Sequence, residues 1–374
     1  PKTSINVELG SIAILASLEL FEATGEQPFA DLARDLAPVI VDSQQRELLP
    51  GVDLPLTGFF YRTPARRSPM TFMHRGHEQA PIVAMAKLCQ ALPDDPQWMD
   101  WYAVVALHSE FYQEAMAEWT APYYLLPNSI RHADPAREPA GGRDRDIWQQ
   151  ITAGFPVGNN TFIRVYPVHP DATFRGNYGT VLSQAKAVAT AARLRRQSRL
   201  ADLCQRQLYW IVGLNPFVQS TMYGEGYDFA PQYTARSGDI VGSLPVGMKS
   251  RGNRDLPYWP ATNIWNYKEV WVHPVSRWLW LLADLDQHQP PKTSSPLTLN
   301  LDAKSTAAGK VNLTLKIEGK GQHSLSLRTF NLDVEARTKQ VELLTGQPKT
   351  VRWQVTIEDA KRWGTTPDEK AVLE

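Results

Sequence analysis

The chain has 374 residues, 43% hydrophobic and 21% charged, which excludes a disordered chain and, at about 150 residues per domain, suggests two or three domains. Lys plus Arg and Asp plus Glu are both 39, so the formal charge is zero and no general attraction draws the chain to nucleic acid or to an anionic membrane. Its longest apolar runs, such as residues 12–16, fall well short of the ~20 residues that span a bilayer, so no membrane partner is expected either.

Residues 5–24 carry Ile5, Leu9, Ile12, Leu15, Leu18 and Phe21 at three- and four-residue steps, which predicts an amphipathic helix with that stripe as its apolar face. Gly25 stops it, and a second helical stretch covers 28–45. A Pro/Gly/aromatic loop occupies 50–71. Helical periodicity returns at 79–91 and, after Pro93-Asp-Asp-Pro96, at 97–119. An irregular stretch over 122–179 holds one short helix near 147–153, and helices resume at 180–195 and 200–212. A second long loop, 213–267, precedes a last helix at 274–286, where Trp278 and Trp280 read as core. Cys89 and Cys204 lie in helical patterns over a hundred residues apart and are expected as two buried free thiols.

Helix pairs joined by short turns on one side and long aromatic loops on the other can close into an α/α toroid, with the loops gathered over one mouth. About residue 290 the composition changes to a Pro/Ser linker (290–296). The period then changes to two at 297–301, 311–317, 325–327 and 351–357. The expected organisation is a mainly α toroid over 1–289, the linker, and a small antiparallel β-sandwich over 297–374 that serves as an accessory module.

The densest chemistry lies in 222–233 and 263–273. Aromatic faces stack on the apolar faces of sugar rings, while adjacent amides and charges satisfy the hydroxyls. Tyr223, Tyr227, Tyr233, Trp259 and Trp265, all in Gly/Pro-rich loops, divide evenly between cleft and structural roles. Earlier, His74, His77 and Glu78 end a Pro/Arg-rich loop and open a helix. Substrate contact and a structural hydrogen-bonded cluster weigh about equally there, and the spacing does not match a zinc-protease helix. No metal or cofactor is expected. Arg75, Arg236, Lys249, Arg251 and Arg254 also fall in the mouth loops, where one or two would suit a uronic acid carboxylate.

Leu208-Tyr-Trp-Ile-Val-Gly-Leu-Asn-Pro-Phe217, the segment Tyr267-Lys-Glu-Val270 before the last helix, and Leu18-Glu-Leu-Phe-Glu-Ala-Thr-Gly25 together resemble motifs of family 9 glycoside hydrolases. The resemblance covers 176–286 well and 5–45 weakly. It implies an (α/α)6, six-hairpin glycosidase fold and places Glu269 where that family has its general acid. Glycoside cleavage needs a protonated carboxyl beside the leaving oxygen, and Tyr267 and Trp271 would wall it. The bland alternative is an ordinary Glu near a helix N-terminus.

Two departures stand out. The family's histidine–arginine substrate motif is replaced by Ala230-Pro-Gln-Tyr-Thr-Ala-Arg236, where only Arg236 could stand for its basic member. Its paired-aspartate motif is absent: Asp144 and Asp146 read as solvated residues of a charged loop, which leaves Glu78 and Asp228 as candidates for a second carboxylate. With about eight helices counted, the toroid is expected to be incomplete on its N-terminal side and completed by an earlier segment of the same gene product or by another chain. The leading reading is an exported, periplasmic or secreted hydrolase acting on a poly- or oligosaccharide, by an inverting acid/base mechanism. The rivals are a polysaccharide lyase using Tyr223, Tyr233, His74 or His77 on a uronate-containing glycan, and a non-catalytic glycan-binding protein.

Overall fold

The computed structural model describes residues 5–52, 54, 56–71, 77–234, 238–287, 297–306, 310–330, 332–357 and 372–373. The chain divides into two compact units, one of residues 1–45 and 49–289 and one of 46–48 and 290–374.

The first unit is mainly helical. Helix α1 (Val7–Thr24) starts where the Asn6 side chain accepts the Glu8 N–H at 2.7 Å, and stops at Gly25 in the left-handed region (φ 73°), whose N–H returns to Phe21 O at 2.8 Å. Helix α2 (Gln27–Val41) opens on Pro28, whose fixed φ suits a first turn. Helix α3 (Ala80–Ala91) likewise has Pro81 in its first turn, and α4 (Trp98–Ala106) follows the Pro93–Pro96 break. Helix α4 does not run on as α-helix. It passes into a π-helix (Leu107–Glu114), then α5 (Ala115–Ala117) and a short 3-10 turn. Gly58 (φ 89°) marks where the 58–60 segment crosses the start of that π-helix: a Cβ there would lie 2.2 Å from Leu107 O.

The stretch read as irregular contains a sheet and a full helix. Strands β1 (Ser129–His132), β2 (Phe155–Gly158) and β3 (Thr161–Arg164) pair in the order β1-β3-β2, with Ile130 opposite Ile163. Helix α6 (Gly142–Thr152) carries Asp144 and Asp146, so these residues lie on a helix rather than in a loop. Asp144 is exposed, while Asp146 bonds Arg175 at 2.8 Å.

Helix α7 (Tyr178–Arg195) is buried on all sides from Tyr178 to Ala192, the mark of a central helix, and its run of alanines lets neighbours approach. It packs against α3, α8 (Ser198–Ile211) and, at the end of the unit, α10 (Val272–Gln287). Between α8 and α10 lie a hairpin, β4 (Lys249–Arg251) with β5 (Arg254–Tyr258), and the single-turn α9 (Trp265–Lys268). Among the described residues, α1, α2, α3, the α4–π–α5 helix, α6, α7, α8 and α10 are the eight long helical segments, short of the twelve of a closed double ring. Cys89 and Cys204 are free and buried.

Two expectations about helix faces fail. The buried face of α1 is Val7, Gly10, Ser11, Ile14, Ser17 and Leu18, which leaves Leu9, Ile12 and Leu20 exposed. The helix is apolar on most sides, so its stripe was ambiguous; contact with α2 selects the small residues, with a Cβ on Gly10 only 3.1 Å from Val39 Cγ1. Trp280 is 41% exposed rather than core, and its ring carries the Lys186 ammonium at 4.4 Å from the centroid.

The second unit is all β. Strands β6 (Thr298–Thr306), β7 (Lys310–Glu318), β8 (Gly321–Ser326), β9 (Thr329–Phe330), β10 (Leu332–Val334), β11 (Thr338–Leu343), β12 (Lys349–Ile357) and β13 (Val372–Leu373) form a four-stranded sheet, β10-β12-β7-β6, and two antiparallel pairs, β11-β8 and β13-β9. Alternation gives this unit its own core: Val351, Trp353 and Val355 of β12 point inward with Leu313 and Ile317 of β7, joined by Val341 and Leu343 of β11.

Candidate active site

The loop between α8 and α10 is held by buried amides. Asn215 closes the turn after α8, donating to Trp210 O at 2.8 Å and Gln219 O at 2.9 Å while its Oδ1 accepts the Phe217 N–H at 3.1 Å. Gln232, 5% exposed, ties two distant parts of the loop together by donating to Thr221 O at 3.0 Å and Ser243 O at 2.7 Å. Its neighbour Tyr233 thereby becomes the edge of a small three-stranded arrangement. Tyr233 N donates to Lys268 O at 2.9 Å and its carbonyl accepts from Val270 N at 3.4 Å. On the other side Val246 N donates to Glu269 O at 2.8 Å and Trp271 N to Leu244 O at 3.1 Å. Gly247 N closes the set on Tyr267 O at 3.1 Å; its φ of 107° and a Cβ position 2.4 Å from the Tyr178 ring admit only glycine.

Glu269 therefore has its backbone fixed from both sides, immediately before α10. In extended chain, residues two apart share a face, so the Trp271 side chain lies beside the Glu269 carboxylate. Its Nε1–H donates to Glu269 Oε2 at 2.7 Å, and Oε1 has no hydrogen-bond partner among the described residues. The side chain is partly exposed.

Two of the aromatic candidates turn inward. Tyr267 is 4% exposed, donates its hydroxyl to Thr262 O at 3.3 Å, and meets Tyr258 and Trp259 edge-on. Trp259 is 6% exposed and donates to Gln219 Oε1 at 3.2 Å. Lys249 and Lys268 sit over these rings at 5.1 Å, in a cation-aromatic cluster. Tyr233 and Trp265 face solvent, and Tyr227 is fully exposed. Tyr223 packs edge-on against Phe229, and its hydroxyl is held above the ordinary phenol range by its hydrogen bond to Asp239. Asp228 is exposed and accepts from Gln219 at 3.1 Å, so Gln219 links it to Trp259. His74, Arg75 and Arg236 lie outside the described residues.

His77 and Glu78 meet α10 from the opposite side. Arg277, 5% exposed, donates from Nη2 to His77 Nδ1 at 3.2 Å, from Nη1 to His273 O at 3.3 Å, and from Nε to the Ser183 hydroxyl of α7. The His273 ring lies 5.6 Å from that of Trp271, so His77, Arg277, His273, Trp271 and Glu269 form a continuous series of contacts around the start of α10. Burial holds the His77 imidazole below its ordinary value; Arg277 adds to this and Glu8 opposes it.

Glu78 is 3% exposed, beside a cavity of about 20 Å³ that it lines with Phe60, His108, Tyr112, Asn128 and Gln184. That is room for about one water. Neither carboxyl oxygen makes a hydrogen bond of good geometry there, and burial pushes the acid well above the carboxylate range; its own backbone N–H, the Arg277 charge and the nearby Ser183 hydroxyl pull the other way. The π-helix supplies His108 and Tyr112, and burial pushes His108 down to about 3. Among the described residues no group of three or more His, Cys, Asp or Glu is disposed to hold a metal, and no helix is long and apolar enough to cross a membrane.

The sequence reading missed Gln232, Arg277 and a buried ion pair, Lys186 of α7 with Asp284 of α10. The signal for two of them was present. Arg277 and Asp284 stand seven residues apart, two helical turns, on the buried side of an otherwise apolar helix. A separate cavity of about 710 Å³, lined by Trp119, Tyr123, Phe155, Trp210 and Asp255 among others, contains Arg254 of the mouth-loop cations and none of the aromatic or carboxylate candidates. It is the roomier concavity, but most of its lining is apolar, and Asp255, its one carboxylate, is committed to Arg164 at 2.9 Å. The predicted Glu269 and His77 lie at the start of α10 instead.

No family model matches the sequence, and no curated protein does. Among solved structures the chain is similar to the cellulase Cel9M of C. cellulolyticum, with 12% identity and a TM-score of 0.38 over 75% of this chain and 51% of that one. It is also similar to the endoglucanase CelQ from Clostridium thermocellum crystallised with cellotetraose, with 12% identity and a TM-score of 0.39 over 96% of this chain and 64% of that one. The chain thus spans about half the length of Cel9M and under two thirds of CelQ.

Proposed function

We propose that the helical unit is the catalytic part of a glycoside hydrolase acting on a poly- or oligosaccharide, with Glu269 as the proton donor. The observation that carries this reading is the mounting of Glu269: a partly exposed carboxyl at the start of α10, backbone fixed on both sides, one oxygen held by Trp271 and the other open. Proton delivery to a leaving oxygen needs a carboxyl so oriented, and it contributes typically 10²- to 10⁴-fold. Exposed Tyr233 and Trp265 supply faces for sugar rings.

An inverting displacement needs a second carboxylate about 6.5–9.5 Å away to activate water. Glu78 suits that task badly, since burial disfavours its charged form; Asp228, exposed and oriented by Gln219, is the better candidate within this chain. The lyase reading is weaker, because it needs a base to take a carbon-bound proton. The Tyr223 hydroxyl is bonded to Asp239, and His77 Nδ1 is occupied by Arg277. An oligosaccharide hydrolase of this kind with a β accessory unit fits an exported setting.

The test is incubation of the purified chain with cellotetraose and with neutral and uronate-containing polysaccharides, following new reducing ends and ultraviolet absorbance together. Reducing ends without absorbance, lost in Glu269→Gln, support hydrolysis. Absorbance from an unsaturated product selects the lyase, and binding without either product selects the non-catalytic reading.

A further inference from the structure

Arg277 is a charged side chain fixed in the core with all three nitrogens committed: Nε to Ser183, Nη1 to His273 O and Nη2 to His77 Nδ1. A guanidinium has donors only. The ring nitrogen it meets at 3.2 Å must therefore be the acceptor, which leaves the imidazole proton on Nε2. We propose that Arg277 is a positioning residue that fixes His77 as a neutral imidazole with its proton on Nε2, so that His77 offers a ligand a hydrogen-bond donor and no acceptor.

The surroundings agree with this assignment. A second proton on His77 would have to sit on Nδ1, facing the guanidinium. Burial and the Arg277 charge both disfavour the imidazolium, and Glu8 of α1 is the acid that opposes them. Glu78, next in sequence, offsets the Arg277 charge only when ionised, a form that burial disfavours. From α7 the polar group facing Arg277 is the neutral Ser183 hydroxyl. The imidazole is thus oriented by two packed helices, α7 and α10, although His77 itself precedes α3 in a loop. Its Nε2 has no partner among the described residues, and the residue is half-exposed, so the donor is available.

The consequence is specificity for an acceptor oxygen at this point of the mouth. On the glycan reading, which this part rests on, a sugar hydroxyl or ring oxygen is accepted there. A protonated amino sugar, which brings donors to a donor, is rejected. His77 also cannot serve as a base or as a metal ligand through Nδ1.

The experiment is long-range proton–nitrogen NMR of the ¹⁵N-histidine-labelled whole chain, titrated from pH 5 to 8 without ligand. The expected spectrum at neutral pH has His77 Nδ1 as the unprotonated, pyridine-like nitrogen and Nε2 as the protonated one, with the midpoint below the ordinary histidine value. An imidazolium at pH 7, or a proton on Nδ1, overturns the proposal without any variant. Since solution histidine already favours Nε2–H, two substitutions assign the effect to Arg277. In Arg277→Gln the amide can still donate to Nδ1 but the charge is gone. The tautomer should hold while the midpoint rises by about one pH unit, a tenfold shift in protonation. In Arg277→Met both are lost, and the two tautomers should exchange. Unchanged His77 signals in a folded Arg277→Met protein overturn the role of Arg277. None of these readouts needs a sugar. Failure of cellotetraose to bind therefore counts against the glycan reading alone, and the spectra still decide the tautomer.

Discussion

Glu269 and Glu78 approach the start of α10 from opposite sides, and their surroundings differ in every respect that sets what a carboxyl can do. Glu269 sits on extended backbone at the surface, with one oxygen held by an indole N–H and the other open. Glu78 is sealed beside a cavity of about 20 Å³ against a π-helix, with neither oxygen bonded and the charged form penalised by burial. The first arrangement can exchange a proton with a ligand. The second can only hold one. Proximity to a mouth is therefore a poor guide to catalysis until water access and hydrogen-bond geometry are known.

The largest expected effect falls on turnover. Glu269→Gln keeps the shape and the Trp271 contact but cannot deliver a proton, so hydrolysis should fall 10²- to 10⁴-fold with sugar binding retained. Activated aryl glycosides, which need less protonation, should be hurt less. Glu78→Gln assayed in parallel should remain active. Comparable losses in the two variants would erase the distinction between the carboxyls.

The next effect concerns acid stability and the chamber of Glu78. His108 is buried there neutral, with a folded value of about 3 against an ordinary value near 6.5. In that window the unfolded chain binds a proton that the folded chain refuses, so stability should fall as pH drops from 6.5 toward 3. At pH 4.5 the loss is on the order of 2 kcal/mol. A His108→Gln protein that unfolds in urea with the wild-type pH slope would show that the chamber takes up the proton elsewhere.

A smaller effect tests how Glu269 is held. Trp271→Phe keeps the ring and removes the donor to Oε2, a hydrogen bond worth about 0.5–1.5 kcal/mol net. A fall in kcat on the order of tenfold, with KM little changed, is expected. An unchanged kcat would mean the indole merely packs.

The helices were legible because three- and four-residue periodicity survives any tertiary context. The β unit was legible because alternation begins at Leu297 and the linker composition marks the change. What was not legible depends on distant partners. Strand β1 exists because Ser129 pairs with Arg164, 35 residues on, and β-pairing at that range leaves no local period. The π-helix depends on a crossing segment at Gly58, and 97–119 alone reads as a plain helix. At the site, Glu269 is singled out by the resemblance of its motif rather than by any local period. Tyr267 and Trp259 were half-misread, since aromatic residues in a loop look alike whether they face a ligand or pack on Lys249 and Lys268. Arg277 and Gln232 were missed because their importance lies in what they fix rather than in what they expose.

The smallest effect isolates the cost of burying Glu78. Its acid is held well above the usual carboxylate range mainly by desolvation. Above the ordinary value near 4.5, the unfolded chain releases this proton while the folded chain retains it. The folded state then binds more protons, and stability must fall as pH rises through the window between the two values. Glu78→Gln presents a neutral amide at every pH and removes that slope. Near pH 4.5 the variant should match the wild type, since the wild-type side chain is then neutral in the folded state as the amide is. By pH 8 it should be the more stable protein, with the higher midpoint in thermal unfolding. The sign of the change with pH carries the information, since a packing defect would shift both ends equally. Parallel wild-type and variant curves from pH 4.5 to 8 would mean that Arg277 and Ser183 compensate the carboxylate in place. Glu78 would then be ionised at neutral pH, and it would return beside Asp228 as a candidate for the water-activating base.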